Sequence, residues 1–285
     1  MAAERHTCTV RHCPRFRDCS YYEARTRLAE ANVIVANHDL VLASLGMKTL
    51  PELDNCLVIF DEGHHLPAVA LDQFSSSMDM SNLRWLDKLP KIVGEVSSAL
   101  HIHAGEDVAT VTSQLKGALT QLARMAMDLV WEQTGKNPDG GGQDGTLRFA
   151  HGVLPEELTE PVSQIHAQAL GLSKALEALG LEVKAVAKED PSQATQCAQL
   201  YAKMGALAPR LNGVVSTASL LLEHGAQPLA KWLQAESEHG YLTMTAHACP
   251  IVPGDLLRQF LWSQVRGAVL TSASLTSCGS FDYFL

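Results

Sequence analysis

Cys56-Leu57-Val58-Ile59-Phe60-Asp61-Glu62-Gly63-His64-His65 is the stretch that decides the fold class. A short apolar run, rich in β-branched and aromatic residues, ends abruptly in an adjacent Asp and Glu. Such a run reads as a buried strand of a parallel sheet. In open α/β sheets, ligands bind at the carboxyl ends of the strands. Asp61 is therefore placed to hold Mg²⁺, directly or through water, and Glu62 to polarise an attacking water. This is the Walker B arrangement, although a strand simply leaving the core would spell similar letters.

Working outward, two further runs have the same character, Val33-Ile34-Val35-Ala36 and Ala268-Val269-Leu270. Both are expected to be strands of the same sheet, and Tyr241 to Ala248 alternates like a half-exposed strand. Between residues 76 and 240 the period changes. Val108, Val111, Leu115, Leu119, Leu122, Ala126 and Leu129 step by three and four, as does the series from Val162 to Val186. The series from Cys197 to Leu221 does the same. Each is one stripe of an amphipathic helix, and three long helices predict an antiparallel bundle. Gly135 to Gly145 and Lys188-Glu189-Asp190-Pro191 mark breaks. The order strand, strand, helical insertion, strand predicts an α/β sheet interrupted by a helical subdomain.

Composition agrees with a globular chain. Of 285 residues 46% are hydrophobic and 19% charged, and no apolar run has the length of a membrane span. The N-terminus lacks a signal-peptide core, so the protein reads as cytoplasmic, where cysteines are free thiols or metal ligands rather than disulfides. The net charge is −9, but it is unevenly spread. Residues 1–27 set six arginines against Glu4, Asp18 and Glu23, whereas residues 76–240 hold 13 basic and 19 acidic side chains. Positive charge thus gathers beside the cysteines, where it could attract phosphates or form an ordinary solvated face.

Those cysteines are Cys8, Cys13 and Cys19. Three thiolates so close in sequence can close around a soft metal centre. The spacing lacks the Cys-x2-Cys knuckle usual for zinc, yet His6 or His12 could complete a Cys3His zinc site. Cys56, Cys197, Cys249 and Cys278 look unrelated, with Cys56 and Cys197 expected in the core. After the last apolar strand stands Thr271-Ser272-Ala273-Ser274-Leu275, a hydroxyl-rich turn. Its weight comes from pairing with Asp61-Glu62-Gly63-His64.

In this order the signals resemble the DinG-type branch of the XPD-like iron–sulfur helicases of superfamily two. The resemblance runs from Cys8 to the C-terminus. It includes Ala31-Asn32-Val33-Ile34-Val35-Ala36-Asn37-His38-Asp39-Leu40 and Asp61-Glu62-Gly63-His64-His65-Leu66-Pro67. It implies a partial RecA-like motor domain with a parallel sheet, a partial iron–sulfur insertion and a large α-helical arch insertion. Residues 1–28 would be part of the cluster domain and 29–75 the motor segment with Walker B. Residues 76–240 would be the arch, and 241–285 the end of the motor domain with motif III.

The same resemblance implies that Cys8, Cys13 and Cys19 hold a [4Fe–4S] cluster whose fourth cysteine is absent from this chain. Asp61, Glu62 and His64 would be the catalytic group, with Asp61 on magnesium. Thr271, Ser272, Ala273 and Ser274 would couple the nucleotide site to motor movement, with Ser274 where Thr is usual. Implied partners are ATP and single-stranded or forked DNA, with RNA–DNA hybrids a further substrate. The implied protein is a monomer that moves 5′ to 3′ at the nucleoid during repair.

One motif is missing from the sequence. No Gly-x-x-Gly-Lys-Thr/Ser phosphate loop occurs, and Gly135-Lys136-Asn137 fails because it follows a helix and lacks the Mg²⁺-binding hydroxyl. The resemblance places that loop upstream and the second motor domain downstream, so this chain alone is expected to be inactive. The other reading is a non-catalytic module that binds zinc or an iron–sulfur cluster together with DNA or a protein partner.

Overall fold

The computed structural model describes residues 7–47, 50–102, 107–134, 145–225, 228–238, 241–275 and 280. His6, Cys278 and the 135–144 part of the glycine-rich break lie outside the described residues. The chain divides into two compact units. One comprises Met1–Arg17, Ser76–Gly225 and Ala230–Ala248; the other comprises Asp18–Ser75, Ala226–Leu229 and Cys249–Leu285. No helix among the described residues is long and apolar enough to cross a membrane.

The second unit carries the expected parallel pair. It contains α1 (Ser20–Glu30), α2 (His38–Met47), β1 (Leu57–Phe60), α3 (Leu66–Phe74), α9 (Pro253–Phe260) and β6 (Gly267–Leu270). β1 and β6 run parallel in the register Leu57↔Gly267 to Phe60↔Leu270. Alternation along a strand sends successive side chains to opposite faces. Val58 and Phe60 accordingly face a core of Leu42, Leu66, Ala70, Leu257 and Leu261, with the Trp262 ring edge-on to Phe60 at 5.9 Å. The opposite face is bare: Leu57 is 65% and Ile59 63% exposed.

The expectation of a strand over Val33–Ala36 is not met. The segment forms no ladder, and Val33 and Val35 are 82% and 95% exposed. A β-branched run favours extended backbone, but it becomes a strand only beside a neighbour whose N–H and C=O groups it can pair with. None of the described residues supplies one.

The first unit is the helical one. Its helices are α4 (Leu89–Leu100), α5 (Val108–Thr134), α6 (Glu156–Glu189), α7 (Ala194–Gly205) and α8 (Ala208–Leu222). α6 packs against α5, α7 and α8, and α4 packs against α5 and α7. The stripes read from sequence are the buried ones: Leu115, Leu119, Leu122 and Ala126 from α5 meet Val162, Ile165, Ala169 and Leu172 from α6. Each such leucine, fully buried, contributes roughly 1.5–3 kcal/mol.

Two expectations change here. The third stripe belongs to two helices, because Gly205 ends α7 and Pro209 sits in the first turn of α8. Proline lacks an N–H and disfavours helical backbone in the residue before it, so it starts a helix more readily than it continues one. The unit is also not all-helical. β2 (Ser76–Asp79), β3 (Gly145–Arg148), β4 (Leu229–Glu238) and β5 (Tyr241–Pro250) form a sheet in the order β2-β5-β4-β3. β2 pairs antiparallel with β5, and β3 with β4. The strand expected over Tyr241–Ala248 therefore joins this sheet.

A buried ammonium ties that sheet to a helix end. Lys231 on β4 is 2% exposed, and its Nζ donates to the carbonyls of Leu221 (2.8 Å) and Glu223 (2.6 Å) at the end of α8. Carbonyls in the last turn have no intrahelical partner and carry the negative end of the helix dipole, so a cation suits them. Burial pushes the Lys231 pKa below its ordinary 10.5, with the Glu223 carboxylate opposing.

Candidate active site

Parallel pairing in register sets the site. Because Phe60 lies opposite Leu270, Asp61 and Thr271 leave the sheet at the same level. The ladder continues one step past the strands: Thr271 N donates to Phe60 O, and Gly63 N donates to Thr271 O, both at 2.9 Å. The loop after β1 is thereby bonded to the loop after β6.

Side chains reinforce the join. Thr271 Oγ1 donates to Asp61 Oδ1 at 2.9 Å, and the backbone N of Glu62 donates to the same oxygen at 3.0 Å. His64 Nδ1 lies 2.7 Å from Ser272 Oγ and 3.2 Å from Glu62 Oε2. One ring nitrogen thus faces a hydroxyl and a carboxylate. If Nδ1 carries the proton, the two oxygens compete for it, and the tautomer decides which group donates to which. The His65 ring lies beside that of His64, centroids 3.9 Å apart.

The backbone between these groups is tightly turned. Glu62 occupies left-handed conformation, φ 50°, ψ 43°, which is uncommon outside glycine and asparagine and marks a constrained turn. Gly63 is buried, and a Cβ there would approach Leu270 Cβ to 3.3 Å. Glycine lets the loop lie flat against β6 and bond to Thr271.

Asp61 and Glu62 are exposed and His64 is half-buried. Both hydrogen bonds to Asp61 fall on Oδ1, which leaves Oδ2 pointing its lone pairs elsewhere. An exposed carboxylate oriented through one oxygen at a strand end fits a hard divalent cation, which takes oxygen ligands. Ala273 and Ser274 are exposed, and Ser274 N donates to Ser272 Oγ at 3.4 Å. The predicted pair of motifs is therefore brought together, with Thr271 and Ser272 making the contacts.

The cysteines stand differently. Cys8 and Cys13 lie in the first unit and Cys19 in the second, all three free and partly exposed. Cys13 follows a single 3₁₀ turn over Val10–His12, Cys8 Sγ accepts from Val10 N at 3.4 Å, and Cys19 precedes α1. Among the described residues no group of three or more His, Cys, Asp or Glu is arranged to hold a metal ion. Cys197 is buried in the helical core and burial raises its pKa; Cys56 is half-buried at the foot of β1.

Comparison with known proteins gives the class first. Residues 9–83 match the DEAD_2 family model, a span that includes Cys13, Cys19 and the Asp61–His64 turn. The chain is similar to proteins named ATP-dependent DNA helicase DinG. It is 30% identical to the one from Photobacterium profundum, over 100% of this chain and 41% of that protein. It is 29% identical to the Escherichia coli (strain K12) protein, over 99% of this chain and 40% of its relative. For Salmonella typhimurium the identity is 28%, over 99% and 40%. The chain thus spans about two-fifths of the length of these relatives, and the DinG-type resemblance holds along its whole length.

Proposed function

We propose that this chain is the part of an ATP-dependent DNA helicase that carries Walker B, motif III, a cluster segment and the arch. Residues 29–75 and 241–285 belong to motor domain one in this reading, 1–28 to the cluster domain and 76–240 to the arch. The observation that carries it is the bonding of Asp61 to Thr271 and of His64 to Ser272. Asp61 would hold Mg²⁺ of a bound nucleotide, which supplies charge neutralisation for phosphoryl transfer. Glu62 would orient and polarise the attacking water, and His64, bridging Glu62 and Ser272, would carry changes at the nucleotide site into motif III.

Single-stranded or forked DNA is the polymer partner, RNA–DNA hybrids are a further substrate, and movement is 5′ to 3′. The protein would act as a monomer at the nucleoid. The cluster role of Cys8, Cys13 and Cys19 rests on the resemblance of the sequence to the iron–sulfur helicases, with a fourth ligand from outside this chain. The sequence given has no phosphate loop, so the 285 residues alone should show no DNA-stimulated ATP hydrolysis.

The test is hydrolysis itself. In a complete helicase containing this chain, Glu62→Gln should abolish ATPase and unwinding while nucleotide binding persists. Unwinding that survived the substitution would overturn the assignment. Iron, acid-labile sulfide and zinc content of anaerobically purified protein separates the cluster from the second reading, since zinc without sulfide would favour a non-catalytic module.

A further inference from the structure

α5 has two stripes. One, through Leu115, Leu119, Leu122 and Ala126, is core; the other, through Lys116, Thr120, Arg124 and Trp131, is rotated by one residue and lines a cavity of about 450 Å³. The floor comes from the segment after β2, where Met80 and Leu83 are buried, and Arg84 stands at the rim. The volume lies in the range of small-ligand sites.

The charges in this groove are not equivalent. Lys116 Nζ is held by both oxygens of Asp87, at 2.6 and 2.9 Å. Arg84 and Arg124 are in no ion pair among the described residues. Asp128 is the only carboxylate on the lining, so the two guanidiniums outnumber it. Guanidinium forks match phosphate oxygens bidentately. Beside them the half-buried indole of Trp131 and the Met127 thioether, one helical turn apart, offer a flat apolar wall. Residues 76–240 are net acidic as a whole, so the two guanidiniums of this groove run against the balance of their segment.

We propose that this groove holds one nucleotide of single-stranded DNA, its phosphate against Arg84 and Arg124 and its base against Trp131. The proposal rests on the DNA-helicase reading above and adds a contact point on the helical unit. An aromatic face with neighbouring cations is the combination that binds single strands without sequence preference. Asp128, at the edge of the groove, limits how much phosphate charge it accepts and favours one nucleotide over a longer tract.

The test uses the full 285-residue chain, a fluorescently labelled short oligo(dT), and titration across a range of salt. Two variants are compared, Arg84→Gln/Arg124→Gln and Trp131→Leu, each first shown by circular dichroism to melt like the parent. The double arginine variant should bind at least about fivefold more weakly, with a log–log salt slope shallower by about 0.7, the loss of one single-strand phosphate contact. Trp131→Leu should weaken binding roughly fivefold or more and leave the slope unchanged, because stacking carries no counterion release. Parent-like affinity and slope in both variants would overturn the groove and leave the DNA reading standing. Failure of the parent to bind oligo(dT) at all would overturn both. Equal affinity for free dTMP would show a mononucleotide pocket and overturn the single-strand assignment.

Discussion

Thr271 Oγ1 donates to Asp61 Oδ1 at 2.9 Å, joining side chains 210 positions apart in the chain. Parallel register makes this possible, because both residues are the first beyond their strands. Everything between them, including the helical unit, is an excursion from two adjacent points of one sheet.

Thr271→Val tests that bond. The valine keeps the shape and loses the donor, so the chain should lose about 1 kcal/mol of unfolding free energy, while Thr271→Ser should lose little. Urea denaturation followed by circular dichroism measures both. Equal midpoints for valine and parent would mean that the exposed bond contributes nothing to holding the two loops.

Gly63→Ala probes the close approach. A methyl 3.3 Å from Leu270 Cβ must push β6 or lengthen the Gly63 N to Thr271 O bond. Overpacking of this kind costs roughly 1–3 kcal/mol. The same substitution should impair nucleotide hydrolysis in a complete helicase through displaced Asp61 and Thr271. Unchanged stability would show that the neighbouring loop yields freely.

The bare face of β1 makes a different prediction. Leu57 and Ile59 point away from the core of their unit, so Leu57→Thr/Ile59→Thr should change stability by no more than about 1 kcal/mol. Exposed apolar strand faces and open edges promote association. Light scattering of the isolated chain at rising concentration should therefore fall in the double variant. A large drop in unfolding free energy instead would place these side chains in a core.

Much of this arrangement is legible in the sequence, and the failures have physical causes. β1 and β6 are readable because apolar runs stop at Asp61 and Thr271, and α5 and α6 because their stripes hold a 3.6 period over many turns. β4 escapes notice because Lys231 occupies an inward position alongside Leu233 and Ala235, which breaks the apolar alternation. The short β2, Ser-Ser-Met-Asp, has one buried apolar residue and no pattern to detect. Val33–Ala36 misleads in the opposite direction, since local preference cannot report whether a pairing neighbour is present. In the site, the joined motifs are legible, but the left-handed turn at Glu62 and the shared contacts of His64 are tertiary facts.

Lys231→Met examines the ion that hid β4. Methionine fills similar space but leaves the Leu221 and Glu223 carbonyls without their donor. Unsatisfied buried acceptors cost about 1–3 kcal/mol each, offset by relief of the buried charge, so a net loss of about 1–3 kcal/mol is expected. A variant at least as stable as the parent would show that desolvation of the ammonium outweighs its bonds.

His247 gives the first unit a pH dependence with a defined sign. Its ring stacks on Trp232, centroids 4.8 Å apart and planes 5° from parallel, and burial lowers its pKa below the ordinary 6.5, with Glu236 opposing. A histidine with a depressed folded pKa binds its proton first in the unfolded chain. Stability is then fully present above pH 6.5 and falls as pH drops from there through the folded pKa. His247→Gln removes that term, so its unfolding free energy should vary less than the parent's between about pH 7 and pH 5. Denaturant melts at closely spaced pH values measure the slope directly. An identical slope in parent and variant would mean that the imidazole is as easily protonated in the folded chain as in water, with burial beside Trp232 balanced by Glu236.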